Sequence, residues 1–262
     1  MRYAIVTGSS RGLGEAIVRH LLAKNVIVFT ISRSRNTELE EIAKESDTLL
    51  YPFSYDLSNF EELEELMNEI FSLIDLDCAT AIYLINNAGT IDPIKPVERA
   101  ELNELVENVN VNLLAPMLIV SSFLKRCDDA PCDKRIINIS SSAGKKPYFG
   151  CGAYCTAKAG IDMLTRCVAV EQEEKEYPVK IISFSPNVIN TTMQCIIRNT
   201  KEEDFTQRER FQSLKKEGKL HTPAYVAKAV MELLESNSFL QGGIIQIDDT
   251  DTETEKKRDL HV

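Results

Sequence analysis

The glycine pattern near the N-terminus constrains the fold more than any other stretch. Residues 2–7 are a short apolar, β-branched run of strand length. Gly8-Ser9-Ser10-Arg11-Gly12-Leu13-Gly14 comes next, and then Ala16, Ile17, Leu21 and Leu22 recur at helical spacing. Residues 26–31 read as a second buried strand. Strand, glycine turn, helix and strand within about thirty residues is the dinucleotide-binding arrangement. The glycines are spaced Gly-x-x-x-Gly-x-Gly rather than Gly-x-Gly-x-x-Gly, but the physics carries over. Gly8 permits a tight turn, Gly12 lets backbone approach a pyrophosphate, and Gly14 allows close contact between helix and strand. Ser10, Arg11 and Leu13 belong to the same loop and are expected to touch the cofactor. The N–H groups at the helix start face phosphate.

The residues just after the second strand bear on the choice of cofactor. An acidic residue there takes the ribose hydroxyls of NAD. The chain has Ser32-Arg33-Ser34-Arg35 instead. Arg33 at the strand end and Arg11 in the glycine loop suit a 2′-phosphate, so NADP(H) is expected. Two solvated surface arginines are the alternative.

Strands and helices then alternate. Residues 48–53 predict a third strand ending near Asp56 and Leu57, where Asp56 either meets an adenine amino group or caps the next helix. That helix is expected over residues 59–74, with an acidic, solvated outer face. Residues 81–85 predict a fourth strand that runs into Asn86-Asn87-Ala88-Gly89, a tight turn suited to line the cofactor. A long helix over 102–123 carries Asn108, Asn110 and Asn112, although asparagine is a modest helix former. Asn112 sits in an apolar run, so it points inward and needs a partner. A fifth strand over 134–140 ends in Ser140-Ser141-Ser142, followed by the loop 145–152 with Tyr148 and Phe149. The next helix carries Tyr154 and Lys158 and runs to about residue 176. A sixth strand over 178–184 closes at Pro186, Asn187, Ile189 and Thr191. Residues 191–221 are polar and partly helical and are expected to form a substrate loop. Thr222-Pro223 caps a helix to residue 235, and a last strand covers 243–247. The alternation predicts one α/β domain over residues 1–247, a doubly wound parallel sheet with helices on both faces, and a charged tail over 248–262. Gly8, Arg33, Asp56, Asn86, Ser141 and Pro186 all fall at carboxyl ends of strands, where such sheets bind ligands.

Tyr154 and Lys158 are four apart and share one helix face. An ammonium beside a phenol favours the phenolate, which suits the pair to proton exchange with a carbonyl or alcohol oxygen. The spacing alone is common by chance; its place at a strand-end cleft gives it meaning.

A net charge of −10 argues against nucleic-acid or anionic-membrane partners. No apolar run reaches the ~18 residues of a membrane span. Residues 1–8 are too short for a signal peptide and run into the glycine loop, so the cytoplasm is expected. Seven cysteines without a Cys-x-x-Cys, and His20, His221 and His261 far from Cys151 and Cys155, predict reduced thiols and no metal.

These motifs resemble the short-chain dehydrogenase/reductase family over nearly the whole chain. The carriers are Thr7-Gly8-x-x-x-Gly12-x-Gly14, Asn86-Asn87-Ala88-Gly89, Asn112, Ser141, Tyr154-x-x-x-Lys158 and Pro186-x-x-x-x-Thr191. Lys146-Pro147-Tyr148, Ala153-Tyr154-Cys155 and Thr192-Met193-Gln194 are similar to a bacterial branch that reduces benzil to (S)-benzoin and is akin to sepiapterin reductases. The resemblance implies a Rossmann-like fold with NADP(H). It implies that Tyr154 is the general acid, that Lys158 lowers its pKa and meets the nicotinamide ribose, and that Ser141 holds the substrate oxygen. Asn112 would hold a water in a proton relay to Lys158. Asn87, Ala88, Gly89, Pro186, Ile189 and Thr191 would line the cofactor, with Arg11 and Arg33 on the 2′-phosphate. Asn187 stands where the family usually has glycine, and asparagine tolerates a left-handed backbone.

The expected reaction is hydride transfer to a bulky hydrophobic ketone or α-diketone in a pocket lined by Tyr148, Phe149, Met193 and Ile197. A pterin reductase using Asp248 or Asp249 is the alternative, and a non-catalytic NADP sensor a more distant one. A homodimer or homotetramer through the Tyr154 helix is implied by the resemblance alone.

Overall fold

In the computed structural model, residues 1–247 are described; the tail and the pterin-binding role considered for Asp248 and Asp249 lie outside them. Seven parallel strands form one sheet in the order β3-β2-β1-β4-β5-β6-β7. They are β1 (Arg2–Thr7), β2 (Ile27–Ser32), β3 (Leu50–Ser54), β4 (Ala81–Asn86), β5 (Asp133–Ile139), β6 (Lys180–Ser185) and β7 (Ile244–Gln246). The order reverses between β1 and β4, which opens a crevice at their carboxyl ends.

Alternation along β1 shows how the layers form. Ala4 and Val6 face α1 (Gly12–Leu22), α2 (Thr37–Glu45) and α9 (Pro223–Glu235), while Tyr3 and Ile5 face α3 (Leu63–Ser72), α5 (Ala115–Cys127) and α6 (Gly152–Glu171). Burial on both sides explains why the strands read as continuous apolar runs. α4 (Leu102–Val109) precedes α5, and α7 (Thr192–Asn199) and α8 (Arg208–Lys216) stand between β6 and α9.

Several boundaries differ from expectation for local reasons. The helix expected over 59–74 is only α3, because Asp56 Oδ1 accepts from Ser58 N–H at 3.0 Å and Asn59 Oδ1 from Glu61 N–H at 3.2 Å, folding 56–61 into turns. α2 leaves little trace in the sequence pattern because it buries only Leu39 and Ala43. α6 ends at Glu171, where the Gln172 side chain accepts from Val179 N–H at 2.9 Å and starts the return. The stretch Leu102–Cys127 is helical throughout but passes through a π-turn at Asn110–Leu114. By length and composition it could cross a membrane. Here Ala115, Ile119, Val120 and Phe123 pack it onto the sheet.

The turn after β1 is the tightest part of the frame. Gly8 has φ 68°, which glycine adopts without strain. A side chain on Gly14 would bring its Cβ within 2.3 Å of the Gly8 carbonyl oxygen and 2.5 Å of Asn87 Nδ2. Neither backbone nor clamped amide can yield, so Gly14→Ala is expected to destabilise by roughly 1–3 kcal/mol, the scale of overpacking. Urea unfolding monitored by circular dichroism measures this; an unchanged midpoint would refute the close-packing role.

Candidate functional site

A cavity of about 490 Å³ opens along the carboxyl ends of the strands, from the glycine loop past Tyr154 to α8. Its walls can be built one element at a time. Thr7, the last residue of β1, is buried, and its Oγ1 accepts from the N–H groups of Asn87 and Ala88, both at 3.0 Å. Asn87 Nδ2 in turn donates to the carbonyls of Thr7 and Gly8, each at 3.0 Å. The turn after β4 is thus tied to the glycine loop, with Asn87, Ala88 and Gly89 on the cavity wall. Asn86 points elsewhere: its Nδ2 donates to Asn138 Oδ1 at 2.9 Å inside the protein.

The glycine loop supplies Gly8, Ser10, Arg11, Gly12 and Leu13 to the cavity, and the facing strand ends supply Arg33, Asp56, Leu57, Pro186, Ile189 and Thr191. Asp56 uses one oxygen to fold its own turn yet still lines the wall. Gly14 does not reach the cavity; it supports the loop from beneath because its α-carbon lies against Gly8 and Asn87. The residues fit a dinucleotide. α1 begins at Gly12 with no side-chain cap on its N–H groups, and a Cβ on Gly12 would meet nothing nearer than Thr191 Cγ2 at 3.4 Å. Arg11 and Arg33 are exposed on this rim. Asn187 adopts φ 56°, so asparagine carries the left-handed turn expected of it.

At the middle of the cavity the serine cluster and α6 meet. The three serines are sorted by structure. Ser140 is buried with no hydrogen-bond partner for its hydroxyl, and Ser142 shares a 3.1 Å hydrogen bond with the Tyr148 hydroxyl. Ser141 lines the cavity, accepts from Ala143 N–H at 3.1 Å and hydrogen-bonds the Tyr154 phenol. Lys158 follows Tyr154 by one helical turn, donates to the Ile139 carbonyl at 2.9 Å and lies 5.6 Å from the Tyr154 ring centre. Burial pushes the Tyr154 phenol up to about 12, against the Ser141 hydrogen bond that pulls it down. Burial also pulls the Lys158 ammonium down to about 8, while Asp162 raises it. The expected lowering of the phenol by the ammonium is therefore not what governs the bare protein. Lys158 is buried and Tyr154 is half-buried at the cavity wall, and charging either one costs more than their mutual attraction returns.

Asn112 points inward and finds partners, as its place in an apolar run requires. It is fully buried and absent from the cavity wall. Its Nδ2 donates to the carbonyls of Thr90 at 2.8 Å and Asn108 at 2.9 Å, and its Oδ1 accepts from Thr90 N–H at 3.2 Å. The side chain clamps the loop after β4 to the π-turn, and Gly89 lies between it and Lys158. Both ends of its amide are engaged with protein.

The far end is an apolar chamber. Ile91, Ile94, Cys151, Ile197 and Phe205 form a buried cluster, with Tyr148, Tyr154, Met193 and Phe211 packed against it. Phe149 is not part of it. Its side chain is 49% exposed, because the loop turns Tyr148 inward to Ser142 and leaves its neighbour facing out. Phe205 and Phe211 have ring centres 5.5 Å apart and belong to a segment that reads as polar and charged. Two isolated phenylalanines give no periodic signal there. Among the described residues, no cluster of His, Cys, Asp or Glu has metal-binding geometry.

Comparison with known proteins agrees with this geometry. The family model for short chain dehydrogenases matches residues 2–202. The chain is 53% identical to a benzil reductase ((S)-benzoin forming) of Bacillus cereus, over 95% of this chain and 100% of that one. It is 31% identical to the sepiapterin reductase of Meriones unguiculatus, over 94% and 95% of the two chains. Among solved structures, the KRED1-Pglu enzyme superposes with a TM-score of 0.79 at 26% identity, covering 93% of this chain and 100% of that one. The same fold, at 21% identity, holds NAD in a 3-oxoacyl-[acyl-carrier protein] reductase from Brucella melitensis (TM-score 0.77, covering 94% of each chain). At 21% identity it holds 5-hydroxy-NADP in an alcohol dehydrogenase from Thermococcus sibiricus (TM-score 0.73, covering 94% of this chain and 95% of that one). The fold itself does not choose between the two cofactors. A glycine-cradled cleft, the Ser141–Tyr154–Lys158 cluster and a family match over most of the chain lead to one conclusion: this chain belongs to the short-chain dehydrogenase/reductase family.

Proposed function

We propose that the chain is an NADPH-dependent carbonyl reductase for bulky hydrophobic ketones or α-diketones, with Tyr154 as the general acid. The observation that carries this reading is the convergence of Ser141, Tyr154 and Lys158 on one cavity that joins a dinucleotide cradle to an apolar chamber. NADPH, when bound, supplies the hydride. The chain's own residues do the rest. Ser141 and Tyr154 hold the carbonyl oxygen, and Tyr154 gives it a proton as charge develops there. A phenol held near 12 is fully protonated at neutral pH and ready to donate. Lys158 places a positive charge behind it, and Asn112 fixes the loop and π-turn beside Lys158. The chamber offers aromatic and aliphatic walls to a large apolar substrate. The Bacillus cereus relative, named for reducing benzil, supports this class. Likeness to the sepiapterin reductase of Meriones unguiculatus keeps a pterin as the second reading. Seven free thiols are in keeping with the cytoplasm.

Steady-state kinetics on benzil, other diketones and sepiapterin should show benzil-type diketones preferred in kcat/KM. Tyr154→Phe should lower turnover by at least ~10²-fold, the usual scale of general-acid help, while NADPH still binds. A large preference for sepiapterin would reverse the substrate order, and near-normal turnover of the variant would remove Tyr154 from the role.

Arg11 and Arg33 are assigned to the 2′-phosphate. Charge-assisted hydrogen bonds of about 1.5–3 kcal/mol correspond to a preference for NADPH over NADH of about tenfold or more. Arg33→Ala should erode that preference chiefly through the KM for NADPH. Equal kcat/KM for the two cofactors in the parent protein would refute the assignment.

α5 and α6 expose Met117, Leu118, Met163 and Val170 beside a groove lined by Leu124, Leu164 and Val168. We assign this face to a homodimer, or to one interface of a homotetramer. Sedimentation equilibrium should give two or four times the 29.5 kDa chain mass, and a monomer at micromolar concentration would contradict it.

A further inference from the structure

α6 carries a third titratable group on the stripe of Tyr154 and Lys158. Asp162 follows Lys158 by one turn, and Tyr154, Lys158 and Asp162 stand at i, i+4 and i+8. It is 4% exposed, and its Oδ1 has no hydrogen-bond partner. Its Oδ2 lies against Gly144, where a Cβ would come within 2.8 Å of it and 2.9 Å of the Lys158 carbonyl oxygen. A buried carboxylate with an unpartnered oxygen is costly, so its place demands a reason.

The neighbouring strands supply one. Asn138 on β5 donates to Thr165 Oγ1 at 3.0 Å, and Thr165 shares a 2.8 Å hydrogen bond with Ser183 on β6. This row fixes which sheet face meets α6. Two residues further along come Ser140, one residue past the end of β5 and bonded through its N–H to the Phe184 carbonyl, and Ser185 at the end of β6. α6 runs back against the strands, so one turn before Thr165 is the level of Asp162. Both serine hydroxyls are buried and unpartnered. By this register two orphan donors and one orphan carboxylate oxygen fall at one level of the sheet–helix interface, one helical turn from Lys158.

We propose that Asp162 is a positioning residue: it is the fixed counter-charge of the Lys158 ammonium, held in place by the Ser140 and Ser185 hydroxyls through a buried water. Among the described residues, no other charged group faces the pair. On α6 the titratable neighbour one turn before Lys158 is Tyr154, which itself faces Cys151, Cys155 and Tyr148. β4, β5, β6 and the π-turn bring Asn86, Ser140, Ser141, Ser185 and Asn112, all uncharged. Through Lys158, the carboxylate extends the pH range over which a cation stands behind the Tyr154 phenol.

The direct test is independent of catalysis. In protein labelled with [ε-¹⁵N]lysine, the Lys158 resonance, assigned with Lys158→Gln, is titrated by NMR. Asp162→Asn, which is isosteric, should lower the Lys158 midpoint by about one unit or more, the scale of a lost neighbouring charge. Asp162→Glu keeps the charge and should stay close to the parent midpoint although its side chain is longer. An unchanged midpoint in Asp162→Asn, or equal shifts in both variants, would assign Asp162 to packing alone and overturn the proposal. The kinetic arm rests on the carbonyl-reductase reading. There the alkaline limb of kcat/KM should move down in Asp162→Asn with little change at pH 6. A uniform loss across pH would again mean packing. Absence of reductase activity in the parent protein would defeat the reductase reading while leaving the NMR test of Asp162 intact.

Discussion

The close approach of Gly14 to the Gly8 carbonyl is the contact on which the site depends. It seats α1 against the end of β1 and sets the loop between them at one height. Asn87 bonds both Thr7 and Gly8 from the next strand, so the turn after β4 inherits that height. Ser141 at the end of β5 and the start of α6 then follow in register across the sheet. A cleft assembled from the ends of separate strands holds its geometry only if each end is tied to its neighbour. Here the ties are short backbone and amide hydrogen bonds, which have two or three contact points each and little freedom to slide.

That rigidity makes room for an unfavourable cluster. Tyr154, Lys158 and Asp162 form a stripe of ionisable groups on one helix, the latter two buried and Tyr154 half-buried at the cavity wall. Burial drives the phenol up and the ammonium down, so neither is charged readily without help. The help comes from fixed partners: the Ile139 carbonyl on Lys158 and Ser141 on Tyr154. A group placed this way can change its protonation as charge appears on a neighbouring oxygen, without waiting for solvent to reorganise. The apolar chamber beyond it surrounds the site's far end with side chains of low polarity.

Much of this is legible in the sequence, and the parts that are not share a cause. The glycine loop, strand ends and Tyr154–Lys158 pair depend on short-range spacing, which sequence displays directly. The choice of Ser141 among three serines is implied by the family resemblance alone, and the structure shows Ser142 bonded to Tyr148 and Ser140 buried. The π-turn at Asn110–Leu114 is invisible because its residues fit an ordinary helical pattern. Asn112 reveals only that it needs partners, and their identity depends on a loop twenty residues away in sequence. Phe149 reads as pocket lining because it is an aromatic residue close to Tyr154 in sequence; the turn at Tyr148 sends it outward instead. Phe205 and Phe211 close the chamber from a segment whose composition looks like solvated surface. Such contacts belong to the tertiary arrangement and carry no local periodicity.

At the centre of the proposed chemistry, the Ser141–Tyr154 pair receives a carbonyl oxygen at the junction of cradle and chamber. A crystal structure with NADP⁺ and an unreactive diketone analogue tests this most directly. The analogue's carbonyl oxygen is expected within hydrogen-bond distance of both the Tyr154 hydroxyl and Ser141 Oγ, with its rings in the chamber of Cys151, Ile197 and Phe205. An analogue bound with its carbonyl away from both hydroxyls would contradict it.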